Sequence, residues 1–174
     1  MVGSAITVEP AVPAEDALLA GMLQFYIYDF SEMEPADSTE LELEPTGRFK
    51  AHRRDPAFWR EKGRNALIIR KGAQPIGFAL LNEIAREGAP VVHNMADFFV
   101  MRKHRRGGVA TAAVRAILQA YPGRWEVAIA ERNTAAKAFW PTAIAATPGA
   151  KDVSLTPGEA ATWDGPIYSF VVAS

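Results

Sequence analysis

The sequence predicts an α+β fold, and three observations predict it. Short apolar runs between turn residues mark strands around 66–102, apolar residues recur at helical spacing after Pro13 and after Gly108, and strands and helices interleave without an internal repeat. The order reads strand, helix, three-strand meander, helix, strand, helix, two strands. At 174 residues the chain is taken as one domain, 1–174, long enough to bury a substantial core.

Ala5 to Glu9 alternates weakly and predicts a first strand, closed by Pro10. Pro13 and the acids Glu15 and Asp16 open a helix in which Leu18, Leu19, Met22, Phe25 and Tyr26 recur at helical spacing, ending near Asp29-Phe30-Ser31. Phe25 is expected in the core, whereas Tyr26, Tyr28 and Asp29 suit the wall of a polar pocket. From Ser31 to Glu44 every charge is acidic; from Gly47 to Arg64 basic residues outnumber acids. Asp55-Pro56-Ala57-Phe58-Trp59 reads as an N-capped helical turn with proline at its first position.

Ala66 to Arg70 and Pro75 to Ile84 form a hairpin across Lys71-Gly72-Ala73-Gln74. After a turn at 86–90, Val91 to Arg102 is the third strand of the meander. A basic turn, two glycines and a helix from Val109 to Ala120 follow. Pro122-Gly123 breaks the chain before a strand from Trp125 to Ala130. Asn133-Thr134 caps a helix from Ala135 to Ala145, which Pro141 is expected to kink or shorten. Two last strands, Asp152 to Thr156 and Ile167 to Ala173, flank a loop from Pro157 to Pro166.

The chemistry concentrates after the third meander strand. Gly107 and Gly108 expose backbone N–H groups without side-chain obstruction, the next helix presents its positive end there, and Arg105 and Arg106 add charge. Such a turn suits a phosphate or pyrophosphate, although a strand-to-helix turn facing solvent has the same composition. The Walker spelling and the three-glycine dinucleotide spelling are both absent. Composition narrows the rest. The 49% hydrophobic and 22% charged content describes a globular chain, no apolar run approaches a membrane span, and no basic region followed by an apolar core marks a secretory signal. A cytoplasmic location is the expectation. With no cysteine there is no thiolate chemistry and no disulfide, no metal site is expected, and a net charge of −1 argues against bulk nucleic-acid binding.

Arg105-x-x-Gly108-x-Ala110, directly after a strand ending in Phe-Val, resembles motif A of the GNAT superfamily of acetyl-CoA-dependent N-acetyltransferases. Asn133-x-x-Ala136-x-x-Phe139-Trp140 looks like the second motif of that superfamily, in the right order and at a plausible separation. The resemblance is tight over Phe98 to Trp140 and loose elsewhere. It implies a GNAT-like mixed sheet, splayed after the strand that precedes the loop, with helices on both faces.

It also implies roles. The backbone N–H groups of Gly107, Gly108, Val109, Ala110 and Arg106 would cradle the pyrophosphate of acetyl-CoA, helped by Arg105 and the Thr111 hydroxyl. The peptide-like pantetheine would pair with the edge at Phe98, Phe99 and Val100, and the Val100 N–H would receive the charge developing on the thioester oxygen. Asn133 would bond the pantetheine or cap its helix, with Phe139 and Trp140 beside the thioester. Asp97, which interrupts an apolar strand, is the first candidate base, ahead of Glu131 and His93. Many family members carry a tyrosine where this chain has Trp140, and indole is no general acid. Water, or Tyr26, Tyr28 or Tyr168, is left to protonate the thiolate.

Two functions compete: an N-acetyltransferase acting by direct attack in a ternary complex, and a coenzyme A-binding regulatory module without turnover. For the enzyme, the acidic block with Tyr26, Asp29 and Glu32 points to a cationic small-molecule amine as acceptor, and protein amines are the alternative. The block read as solvated loop fits the composition equally well. No nucleic acid or membrane partner is expected, and a homodimer is compatible with the sequence.

Overall fold

The computed structural model describes residues 5–50, 56–86, 90, 93–159 and 161–173. Its strands are β1 (Ile6–Pro10), β2 (Arg64–Lys71), β3 (Gln74–Asn82), β4 (His93–Val100), β5 (Gly123–Ala128), β6 (Ala150–Thr156) and β7 (Ile167–Val172). The helices are α1 (Asp16–Ser31), α2 (Val109–Ala120) and α3 (Thr134–Ala145). The strands form one sheet in the order β1-β2-β3-β4-β5-β7-β6. Every pairing is antiparallel except β4 with β5. No helix among the described residues is long and apolar enough to cross a membrane.

Alternation along the strands separates two cores. Leu67 of β2 and Met95 of β4 join Val114, Ile117 and Leu118 of α2 and Ala143 and Ile144 of α3, around a fully buried Trp125. On the opposite face Ile68, Phe78 and Leu80 meet Leu19, Leu23, Tyr26 and Ile27 of α1. The mixed α+β sheet thus carries helices on both faces. Each large side chain buried this way contributes about 1.5–3 kcal/mol relative to exposure.

Several boundaries differ from expectation for local reasons. Pro10 is part of β1, tolerated because β1 is an edge strand and Pro10 its last residue. Pro13 to Glu15 form a 3₁₀ turn ahead of α1. Phe25 lies on the outer side of α1 and is 57% exposed, since Leu19, Met22, Leu23, Tyr26 and Ile27 already fill the inward stripe. β5 starts two residues earlier than expected, because Gly123 at φ 132° still pairs with Val172. β6 also starts earlier and accommodates a bulge at Asp152, whose φ is 54°. Pro141 lies inside α3 without ending it. Asn133 is the N-cap of α3, its Oδ1 accepting from the Ala136 N–H at 2.9 Å. Phe58 to Arg60 form a 3₁₀ turn, whereas its expected cap Asp55 and the strand start at Val91 lie outside the described residues.

The acidic segment is tied to α1. The Gln24 amide donates to the Phe49 carbonyl at 3.2 Å and accepts from the Phe49 N–H at 2.8 Å, and Leu43 bridges to Phe49.

Candidate functional site

The site begins where β4 leaves β5. Among the described residues the two strands pair at His93 with Trp125 and Asn94 with Glu126, and beyond Asn94 they splay apart. The splay coincides with a bulge in β4: Leu81 faces Met95 but Leu80 faces Asp97, so Ala96 is the extra residue. A cleft of 740 Å³ opens there, lined by Asn94 to Phe98 on one side and Val127 to Ala130 on the other. Tyr26 and Phe30 of α1, Trp59, Asn133 and Trp140, and Trp163 from the β6–β7 connection complete its walls.

The upper part of β4 presents a free edge to this opening. The Met101 N–H donates to the Ile76 carbonyl on β3 at 2.9 Å, so antiparallel alternation turns the N–H groups of Val100 and Phe98 away from β3, toward the splay. Arg105 Nε donates to the Val100 carbonyl at 2.6 Å, which anchors the following loop to this edge. Gly77 keeps β3 close to β4, since a Cβ there would collide with the Phe99 carbonyl. Phe99 itself offers its edge to β3 and its ring to the α1 core, 5.6 Å from Phe78 and 6.1 Å from Tyr26. Phe98 points to the other face and stacks on Phe139 at 6.1 Å and 12°, with Trp140 edge-on at 5.6 Å.

The loop after β4 makes a 3₁₀ turn at Arg102–His104, an extended Arg105, and two left-handed residues, Arg106 at φ 64° and Gly108 at φ 75°. For Arg106 that conformation costs about 1–2 kcal/mol, a strain of the kind that concentrates at functional loops. Gly108 is the N-cap of α2 and brings no side chain to satisfy the first-turn N–H groups of Val109, Ala110 and Thr111. A Cβ built on Gly107 or Gly108 would meet no protein atom within 4 Å. At Gly107, where φ is not positive, neither packing nor backbone conformation demands a glycine. What the pair leaves is bare backbone beside a helix N-terminus, which fits a pyrophosphate.

The acidic residues are elsewhere than a second mouth. Asp29 accepts from Arg102 Nε at 2.9 Å and also from Arg105, and Glu32 pairs with Arg102 at 3.2 Å. The hydrogen-bonded Asp29 carboxylate pushes the Arg102 guanidinium further up from its ordinary range. Glu34 pairs with Arg132 at 3.1 Å. None of the three acids lines the cleft. Tyr28 is 62% exposed, while Tyr26 is buried against Phe30, Phe78 and Phe99 with one edge on the cleft.

Asp97 is half-buried and lines the cleft, and parity with Phe99 and Met101 sets it on the α1 face. Glu131 is paired with Lys137 at 2.5 Å. His93 is on the opposite face, its ring 4.9 Å from Trp125 and 5.6 Å from Tyr121, where burial lowers its pKa from the ordinary 6.5. Sequence reading gave no site role to Asn94, Arg86, Trp59 or Trp163, all of which line the cleft. An amide inside a strand was the one signal available; the others reach the cleft through turns and loops. Among the described residues no group of three or more His, Asp or Glu side chains could hold a metal.

The profile of the acetyltransferase (GNAT) family matches residues 28–142. No curated protein matches the chain by sequence. Solved structures share the fold at low identity. An acetyltransferase from Thermus thermophilus superposes with a TM-score of 0.64 at 15% identity, over 98% of each chain. The PaiA N-acetyltransferase of Thermoplasma acidophilum, in complex with coenzyme A, gives 0.63 at 7% identity, over 96% of this chain and 99% of that one. A diaminobutyrate acetyltransferase from Paenibacillus lautus, bound to L-2,4-diaminobutyric acid and coenzyme A, gives 0.58 at 12% identity, over 98% and 96%.

Proposed function

Because the chain belongs to the acetyltransferase (GNAT) family, whose co-substrate is acetyl-CoA, we propose that it transfers the acetyl group to a primary amine by direct attack in a ternary complex. The observation that carries this reading is the continuity of one surface. The free edge at Phe98 and Val100 runs directly into the bare backbone at Gly107 and Gly108. A peptide-like arm pairs with the edge while its pyrophosphate occupies the loop.

The proposed step forms a C–N bond between the amine and the thioester carbonyl carbon and breaks the C–S bond. Val100 N–H takes the charge that develops on the carbonyl oxygen. An ammonium of pKa ~10.4 must lose a proton first, at a cost of about 4–5 kcal/mol at pH 7. Asp97 is the acceptor of that proton, directly or through water. The departing thiolate, of pKa ~8.5, needs little help in gaining one. Trp140 cannot give it, and of Tyr26, Tyr28 and Tyr168 only Tyr26 lines the cleft. A cytoplasmic location, where acetyl-CoA is at hand, goes with this activity.

Asp29, Glu32 and Glu34 lend no support to a cationic acceptor, since Arg102, Arg105 and Arg132 take up their charges. Trp140 is the one feature that favours a binding module without turnover. Thiol release from acetyl-CoA across a broad amine panel separates the two readings: a module is stabilised by acetyl-CoA and releases none. Within the enzyme reading, Asp97→Asn lowers kcat/KM about 100-fold near pH 7 and recovers in part at high pH, where the amine deprotonates unaided. An unchanged pH–rate profile removes Asp97 from the role.

A further inference from the structure

Among the described residues the charged side chains lining the cleft are Arg64, Arg86 and Asp97. Arg64 is committed to Glu61 and lies over the Phe58 ring at 3.7 Å. The Arg86 guanidinium has no carboxylate partner among the described residues, yet the residue is held at both ends. Its backbone N–H donates to Oε1 of the fully buried Glu126 at 2.6 Å. Its guanidinium lies over Trp163 at 4.7 Å, and the indole N–H of Trp163 is pinned to the Ile129 carbonyl at 3.1 Å. A guanidinium stacked on a fixed ring, with its in-plane donors unspent, is preorganised for a planar anion.

A second, independent observation lies beside it. Asn94 is 3% exposed, and its Oδ1 has no hydrogen-bond partner. Its orientation is fixed by a neighbour. Asn82 Oδ1 accepts the Ile84 N–H at 3.0 Å, so the Asn94 atom facing it at 2.9 Å must be the donating NH₂, and the Asn94 oxygen is turned away. That oxygen is closed off from the cleft, so its missing partner is a cost of about 1–3 kcal/mol that the fold carries beside the site. Asn94 lines the cleft on the same strand as Asp97, three residues before it across the bulge, which is about 7–10 Å. The Trp59 indole N–H is likewise buried, unpartnered and in the cleft lining.

Building on the acetyl-transfer reading above, we infer that the acceptor is an amino-carboxylate: Arg86 receives its carboxylate, while Asp97 receives the N–H groups of its amine.

Matched pairs differing only in the carboxylate test this: L-lysine against 1,5-diaminopentane, and 4-aminobutyrate against propylamine. Calorimetric titration into the protein, with and without coenzyme A, reads recognition without turnover. The carboxylate-bearing member of each pair is expected to bind at least about tenfold more tightly, the scale of a charge-assisted hydrogen bond. Arg86→Gln reduces that advantage to within about twofold, and Arg86→Lys restores part of it. Equal or reversed affinities in the parent, an advantage that survives Arg86→Gln, or no binding by either carboxylate overturns the inference. Failure of acetyl transfer leaves a different mark: the carboxylate preference and its dependence on Arg86 persist while no thiol is released.

Discussion

Gly107 is the position where a single side chain separates folding from coenzyme binding. A Cβ there meets nothing, and its φ is not positive, so the protein tolerates a substitution that a pyrophosphate does not. Gly107→Glu is expected to leave the melting temperature within a degree or two and to weaken coenzyme A binding at least about 100-fold, because a carboxylate ~4 Å from a phosphate costs several kcal/mol at an intermediate dielectric. Calorimetry checks it. Gly108 makes a poorer test, since any side chain at φ 75° adds backbone strain of its own. The two glycines were legible in the sequence from their spelling and their place before a helix, although only Gly108, at φ 75°, has a backbone conformation that favours glycine. Asp97 was legible as a charge interrupting an apolar strand. Asn94 was not: whether an amide in a strand is satisfied depends on Asn82 and Ile84 across the sheet, and no local pattern carries that information.

At the scale of elements, β4 divides its side chains between two environments. His93, at its start, is packed between Trp125 and Tyr121, and burial disfavours its charged form. The unfolded chain therefore binds a proton more readily than the folded one below pH 6.5, so the stability this residue contributes is complete above that value and declines as the pH falls further. Urea midpoints measured from pH 7.5 to 5 are expected to fall, and His93→Phe to flatten the fall. Most elements could be read from the sequence, since the meander strands are short apolar runs between turns and α1 and α2 carry apolar residues at helical spacing. The slips at β5 and β6 arise at Gly123 and Asp152, where positive φ values let the ladder begin earlier than residue preference indicates. Phe25 was misjudged because apolar content does not report which stripe of a helix is already full.

Over the whole molecule, charge arrangement was the least legible property. Acidic and basic stretches read from the sequence as two separate regions. In the fold Asp29 and Arg105, 76 positions apart, are partners, as are Glu34 and Arg132 across 98 positions. Pairings at that range follow from the sheet order β1-β2-β3-β4-β5-β7-β6, which brings the end of α1 beside the loop after β4. The seven strands follow from short-range signals and their assembly into a splayed mixed sheet from the family resemblance over Phe98 to Trp140, whereas neither reports which charges end up paired.

Beyond Asn94, where the β4–β5 pairing stops, the sheet is a pair of blades with an open seam between them, and side chains pack around Trp125 at its closed end. A ligand that docks along the open part of that seam supplies main-chain partners the polypeptide lacks, and so becomes a structural member of the protein it visits. Backbone amide exchange can see this atom by atom. The Met101 amide, bonded to Ile76 with or without ligand, is expected to exchange at nearly the same rate in both states, while those of Phe98 and Val100 slow by at least about tenfold when coenzyme A is bound. Uniform slowing of all three would mean that the ligand merely stabilises the fold as a whole; slowing at alternate residues would show it filling the gap as a strand.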